Sequence, residues 1–212
     1  MKRAEFDEDF LRHMVLNSIR NYRSKFFKEY GEIVICCDGR GYWRKNFFEF
    51  YKGKRKEGRD KSALDWDKIF EWINAIKKDL KEYFPYRVIE VAGAEADDII
   101  AFLATKYSSS ESILIVSADK DFQQLQKYPN VEQYSPMAKK FLKCENPTAY
   151  LKEHIIRGDA GDGVPNIFSD EDTFMVEGKR QKPVSSKKME SWLGMKAAEI
   201  AKEVAKTPED LL

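Results

Sequence analysis

Apolar residues recur at helical spacing from residue 9 to residue 30, where Phe10, Met14, Ile19, Phe26 and Tyr30 fall along one face and Gly31 supplies a stop. That pattern predicts an amphipathic helix. It leads into "EIVICCD" (32 to 38), an apolar run of the kind that forms a buried strand, ending here at Asp38. Residues 39 to 61 have no clear period and are interrupted by glycines, which predicts a flexible or partly helical insertion. A second helix is expected over 64 to 83, with Trp66, Ile69, Phe70, Ile73, Ile76 and Leu80 on one face and Pro85 closing it. Residues 86 to 91 read as a strand, 95 to 107 as a helix, 112 to 117 as a buried strand and 121 to 127 as a short helix. Beyond Pro129 come two short strand-like pieces, "VEQYS" and "KKFLK", a helix over 147 to 157 and the loop "RGDAGDGVPNI". Residues 167 to 184 are polar and patternless, 186 to 206 are helical, and no internal repeat is present.

Strands alternating with helices predict an α/β fold built on a parallel sheet flanked by helices. Thr207, Pro208, Glu209 and Asp210 have the form of a helix start, and the sheet begins after a helix with no strand before it. The expectation is a part of a longer fold.

Composition narrows the class without naming it. The chain of 212 residues is 42% hydrophobic and carries 37 basic against 36 acidic side chains, so a nucleic-acid footprint would have to come from segregated charge rather than excess. Segregation is present: from Arg40 to Lys61 nine basic residues face three acidic ones. Cys36, Cys37 and Cys144 have no zinc-type spacing and read as reduced thiols of a cytosolic protein. No apolar run is long enough to span a membrane, and the first ten residues lack the apolar centre of a signal peptide. A cytoplasmic location is expected.

The acidic residues carry the candidate chemistry. "AGAEADDIIAF" sets Glu95, Asp97 and Asp98 directly before an apolar helix face. Two like charges at ~4 Å repel by roughly 4 kcal/mol at an effective dielectric near 20, so something must offset the cluster. A helix N-terminus offers about 0.3 to 1 kcal/mol per carboxylate, and a bound divalent cation offers more. Elsewhere, Asp38 ends the first strand, Asp119 and Asp121 follow the strand at 112 to 117, and Asp159 and Asp162 lie in "GDAGDG". Asp119 alone could be a helix N-cap, and "GDAGDG" alone a surface turn. Together these eight carboxylates come from four segments assignable to one sheet edge, where ligands of parallel sheets bind. Oxygen ligands without His or Cys select Mg²⁺ or Mn²⁺, and eight exceed what one octahedral ion uses, so two ions are expected. Two such ions suit in-line hydrolysis of a phosphodiester. In the adjacent basic run, Arg44, Lys52 and Arg55 can neutralise phosphates, while Tyr42, Trp43, Phe47, Phe48 and Tyr51 either stack on unpaired bases or pack internally.

In "CCDGRGYWRKNFFEFYKGKR", "AEADDIIA", "SADKDFQQL", "YPNVEQYSPM" and "GDAGDGVP" the sequence resembles the structure-specific 5′-nuclease (flap endonuclease) superfamily, and within it the ribonucleases H of T-even-like bacteriophages. The resemblance implies a PIN-like α/β fold with a basic helical arch at about 39 to 63. It divides the chain into a nuclease core, 1 to 165, and a partial C-terminal helical DNA-binding region, 166 to 212. The implied activity is 5′ to 3′ exonuclease and flap endonuclease cleavage that removes RNA primers during phage DNA replication. Carried over by motif, Asp38, Glu95, Asp97 and Asp119 surround a first Mg²⁺, and Asp121, Asp159 and Asp162 a second, with Asp98 the last acid of the E-A-D-D pattern. Lys52 and Arg55 correspond to arch residues that grip the scissile phosphate and the threaded strand, with Arg44 as helper. Arg40, Tyr42, Trp43, Lys45 and Lys54 complete the implied nucleic-acid contacts. Implied partners are flapped or branched duplex DNA, RNA/DNA hybrid, a phage single-stranded-DNA-binding protein and a sliding clamp, all met by a monomer.

Two features depart from the family. It opens with a strand ending in a metal-ligating aspartate, which nothing before Glu5 supplies, so the first strand is expected to be lacking. Its helix-hairpin-helix glycines are also missing from "VPNIFSDEDTFMVEG", a departure shared by phage ribonucleases H. The alternative function is therefore a catalytically impaired DNA-structure-binding protein. A phosphatase with an aspartate nucleophile would need D-x-D-x-T after its first strand, which "CDGRG" does not provide.

Overall fold

A computed structural model describes residues 7–196, 198–200 and 202. In chain order the elements are α1 (Glu8–Tyr30), β1 (Val34–Cys37), a 3-10 turn (Trp43–Asn46), α2 (Arg55–Asp60), α3 (Trp66–Tyr83), β2 (Arg87–Glu90), α4 (Ala96–Tyr107), β3 (Ile113–Val116), a 3-10 segment (Lys120–Lys127), β4 (Val131–Ser135), β5 (Lys140–Leu142), α5 (Pro147–Arg157) and α6 (Ser186–Leu193). They fall into two units. Unit 1 takes the residues up to Tyr42 and Lys61–Leu142, and unit 2 takes Trp43–Asp60 with the residues from Lys143 on.

In unit 1 the strands form two groups. β1 pairs with β2 in parallel, Val34 opposite Arg87 and Cys37 opposite Glu90. β3 pairs with β4 in parallel, and β5 closes that second group as an antiparallel edge. The parallel pairing follows the sequence expectation, but a single continuous sheet does not: β1 and β3 each end their own sheet, and α4 packs across β1, β2 and β3 alike. Around α4 the core joins Ala104, Ile115, Phe122, Leu125 and Val131. Each large side chain buried there contributes about 1.5 to 3 kcal/mol. On another face, Phe26 of α1 packs edge-on against Tyr134 and Phe141, at centroid distances of 5.0 and 6.0 Å. α3 is tied to β2 by Lys77 and Lys81, whose ammonium groups each donate to Glu90 at 2.7 Å. The three cysteines are free thiols, and burial pushes Cys36 up to about 11, so it stays neutral and unreactive at pH 7.

In unit 2 the core is Ile156, Phe168, Met189 and Trp192, with α5 packed on α6. Lys152 of α5 donates to the carbonyls of Leu193 and Met195, at 2.8 and 2.9 Å, where α6 runs out of intrahelical partners. The helix expected over 186 to 206 therefore stops early, with Gly194 as its C-cap, and a new turn starts where Glu199 accepts from Lys196 N at 2.7 Å. The helix start expected at Thr207 to Asp210 lies outside the described residues. α3 begins at Trp66 instead of residue 64, because Asp65 turns its side chain back to accept from Lys68 N and caps the helix there. The basic insertion is partly helical, as expected, through its 3-10 turn and α2. No helix among the described residues is long and apolar enough to cross a membrane.

Candidate functional site

Unit 1 holds six of the eight candidate carboxylates, and the first four are placed around the start of α4. Immediately after Asp38 the chain passes so close to the turn after β2 that a Cβ on Gly39 would stand 1.8 Å from the Val91 carbonyl oxygen. Only glycine allows that crossing, which is locked by Gly39 N donating to Ala94 O at 2.9 Å. Asp38 is thereby delivered to the N-terminus of α4, where its Oδ1 accepts from Ala96 N at 2.7 Å. Glu95 is the N-cap of that helix and only 2% exposed. Asp98 Oδ2 accepts from Glu95 N at 2.9 Å, and the reciprocal bond to the Glu95 side chain completes a capping box. Asp97, in the same first turn, is exposed. The helix-terminus reading of this cluster is thus part of the geometry: the N–H groups of the first turn and the macrodipole offset the repulsion among the carboxylates placed around it.

The other pair in unit 1 shares one turn beyond β3. Asp119 caps the 3-10 segment, its Oδ1 accepting from Asp121 N at 2.9 Å, while Ser117 Oγ accepts from Asp119 N at 3.1 Å. This segment packs on α4.

Unit 2 holds Asp159, Asp162 and the basic insertion. Gly158 turns the chain at φ 69° after α5, with the Val164 carbonyl 2.4 Å from where a Cβ would stand. The turn brings Asp159 Oδ1 onto Gly161 N at 2.7 Å and Asp162 N at 3.3 Å. Against this loop lies the segment from Phe50 to Gly53. Lys52 N donates to Asp162 O at 2.8 Å, Tyr51 Oη to Asp162 Oδ2 at 3.1 Å and Arg55 Nη2 to Asp162 Oδ1 at 2.5 Å, and Lys52 Nζ stands 3.9 Å from Asp162. Lys52 holds a left-handed backbone, φ 56°, which costs a side-chain-bearing residue on the order of 1 kcal/mol and which these contacts maintain.

Lys52, Arg55 and Asp162 are thus brought together, and so are Asp38 with Glu95, Asp97 and Asp98, and Asp119 with Asp121. Arg44 stacks over Trp43, 4.7 Å from its centroid, while Lys45, Lys54 and Arg40 are exposed and Tyr42 half-buried. The aromatic run divides: Phe47 is 83% exposed and Trp43 46%, but Tyr51 is buried at 6% and belongs to packing. Two contributors escaped the sequence reading. The bond from Tyr51 to Asp162 is one, because an aromatic in a basic run looks alike whether it stacks on bases or supports a carboxylate. The other is His154, at the end of α5, whose Nε2 lies 3.4 Å from Asp159 Oδ2, so the donor set of unit 2 is not purely oxygen. Its signal was available only as one of two histidines standing five residues before the acidic loop.

All six candidate residues of unit 1 offer carboxylate oxygens, the donor type that a hard divalent cation selects, although no three of them lie within 4.8 Å of one another among the described residues.

The family model for the 5′-3′ exonuclease, N-terminal resolvase-like domain, matches residues 10–154. Ribonuclease H of Enterobacteria phage T4 is 41% identical over 178 residues, covering 80% of this chain and 58% of that protein. Flap endonuclease Xni of Shewanella piezotolerans is 32% identical over 153 residues, covering 66% of this chain and 55% of that protein. The chain thus spans little more than half the length of these relatives. Among solved structures, a bacteriophage T5 flap endonuclease in a pseudo-enzyme-product complex with DNA and metal ions aligns with a TM-score of 0.65 at 15% identity, over 91% of this chain and 77% of that one. That likeness shows the fold.

Proposed function

The chain belongs to the family of the 5′-3′ exonuclease N-terminal, resolvase-like domain, and on that premise we propose that it is a Mg²⁺-dependent phosphodiester hydrolase with 5′ to 3′ exonuclease and flap endonuclease activity. Its substrates are RNA primers and 5′ flaps on duplex DNA or RNA/DNA hybrid in phage replication, in the host cytoplasm, as a monomer working beside a single-stranded-DNA-binding protein and a sliding clamp. The observation that carries the reading is the cluster in unit 2, where Tyr51, Lys52 and Arg55 of the basic insertion meet Asp162 of the acidic loop. Cations able to grip a phosphate thereby stand beside a carboxylate able to hold a metal ion.

Asp38, Glu95, Asp97, Asp98, Asp119 and Asp121 in unit 1, and Asp159 and Asp162 in unit 2, are the proposed ligands. When bound, Mg²⁺, or Mn²⁺ in its place, supplies a water of lowered pKa and charge for the attacking and leaving oxygens. The residues of the chain do the rest. Lys52 and Arg55 place positive charge where the phosphoryl oxygens gain negative charge in the transition state, and Arg44 assists. Exposed Trp43 and Phe47 stack on unpaired bases, while Arg40, Tyr42, Lys45 and Lys54 contact the strand.

A second reading, a DNA-structure-binding protein impaired in catalysis, is favoured by one observation: both oxygens of the Asp162 carboxylate are already engaged, Oδ1 by Arg55 and Oδ2 by Tyr51. Cleavage of a 5′-labelled flap duplex with Mg²⁺ or Mn²⁺ separates the two. The hydrolase reading expects product from the parent protein and a loss of about 10²-fold or more in Asp119→Ala. Retained binding with no cleavage at any protein concentration would establish the second reading instead.

A further inference from the structure

β4 carries a side chain that the proposed chemistry has not used. Gln133 is fully buried, at 0% exposure, in register with Ile115 of β3. Its Nε2 donates to the carbonyl of Ser117 at 3.0 Å and to that of Asp119 at 2.6 Å, and its Oε1 accepts from Gln126 Nε2 at 3.4 Å. The two carbonyls belong to the turn by which the chain leaves β3, the turn that carries Asp119 and Asp121. Past Val116 the ladder between β3 and β4 ends, with Ser117 N donating to Tyr134 O at 3.0 Å as the last backbone link. Beyond that link a single amide from the neighbouring strand takes up both carbonyls.

The chemistry of the position is specific. Both contacts require a donor with two hydrogens at the end of a three-carbon reach, which a primary amide supplies. A carboxylate of the same shape would aim acceptors at acceptors, and an apolar side chain of the same length would leave both carbonyls without their donor. Gln126, on the 3-10 segment that follows the acidic turn, orients the amide from its oxygen side. The amide thus ties β4 both to the turn that carries Asp119 and to the 3-10 segment that contains Asp121.

We propose that Gln133 is a positioning residue: it shapes the Asp119–Asp121 turn so that both carboxylates present their oxygens for metal binding. This rests on the hydrolase reading for its purpose, but it is tested on metal binding, which needs no cleavage. Residues that orient metal ligands from behind typically change metal affinity by about 10- to 100-fold when removed.

The test titrates terbium alone into the parent protein, Gln133→Met and Gln126→Leu, following sensitised terbium luminescence, with thermal melts and flap cleavage across a Mg²⁺ series alongside. Half-saturation by terbium should rise about tenfold in Gln133→Met and by a smaller factor in the same direction in Gln126→Leu. Raised Mg²⁺ should restore kcat while KM for the flap stays within twofold. If Gln133→Met fails to fold, Gln126→Leu decides alone, since it leaves the Gln133 amide and both of its carbonyl contacts in place and removes the partner on its oxygen side. Terbium half-saturation within twofold of the parent in both variants, or in Gln126→Leu when Gln133→Met is unfolded, would overturn the proposal, as would a parent protein that binds no terbium. A parent that binds terbium but does not cleave counts against the hydrolase reading alone, and the luminescence shift still decides for Gln133.

Discussion

Lys52 joins two roles in one residue, and they can be separated. Its backbone N–H holds the acidic loop through Asp162 O, whereas its ammonium, 3.9 Å from the Asp162 carboxylate, is the part proposed to meet a phosphate. Truncation to alanine removes only the second. Lys52→Ala should therefore lower kcat by about 10²-fold, the usual cost of deleting one charge-stabilising donor, while metal affinity measured by calorimetry stays within twofold. Equal losses of activity and metal affinity would show instead that the ammonium holds the loop together. The type of residue at 52 and 55 was legible in the sequence, because a lysine and an arginine in a basic run have few uses. That Tyr51 turns inward to the same carboxylate was not, since burial depends on contact with residues more than a hundred positions away.

Elements show the same division between local and distant causes. α4 and β3 could be read directly, because the helical period after "EADD" and the continuous apolar run "ILIV" are properties of short windows. The separation into two sheets could not, because pairing is settled by which strand edges meet, and no window contains both. The end of α6 lies between these cases: Gly194 was visible, but helix-forming residues on either side of it supported one continuous helix until Lys152 supplied partners for the last carbonyls. Between elements, the contact most open to measurement is that of α3 with β2. Lys77 and Lys81 each bond Glu90 and pull its carboxyl from 4.5 down to about 2. A carboxyl depressed in the folded state stabilises the protein fully above its unfolded value, and that stability is lost as pH falls toward the folded one. Glu90→Gln should accordingly be less stable than the parent in urea unfolding at pH 6, with the gap narrowing below pH 4.5 and closing near pH 2. A gap that does not change with pH would assign the effect to shape rather than charge.

Across the whole molecule the near-zero net charge conceals a partition of function. The formal charge is +1, yet the run from Arg40 to Lys61 is strongly basic while the strand ends carry the acids. A protein built this way should bind nucleic acid through a few placed contacts, so its affinity should fall with salt in proportion to their number. Lys45 and Lys54 are exposed and form no ion pair among the described residues, which makes them the cleanest contacts to count. For a single strand, each phosphate contact contributes about 0.7 to the slope of log affinity against log salt, so Lys45→Ala with Lys54→Ala should reduce that slope by about 1.4. Neither lysine touches a candidate carboxylate, so the metal requirement of cleavage should be unchanged in the same variant. An unchanged salt slope would mean that the two lysines only keep a surface solvated, and that the affinity comes from Arg44, Lys52 and Arg55 with the exposed rings of Trp43 and Phe47.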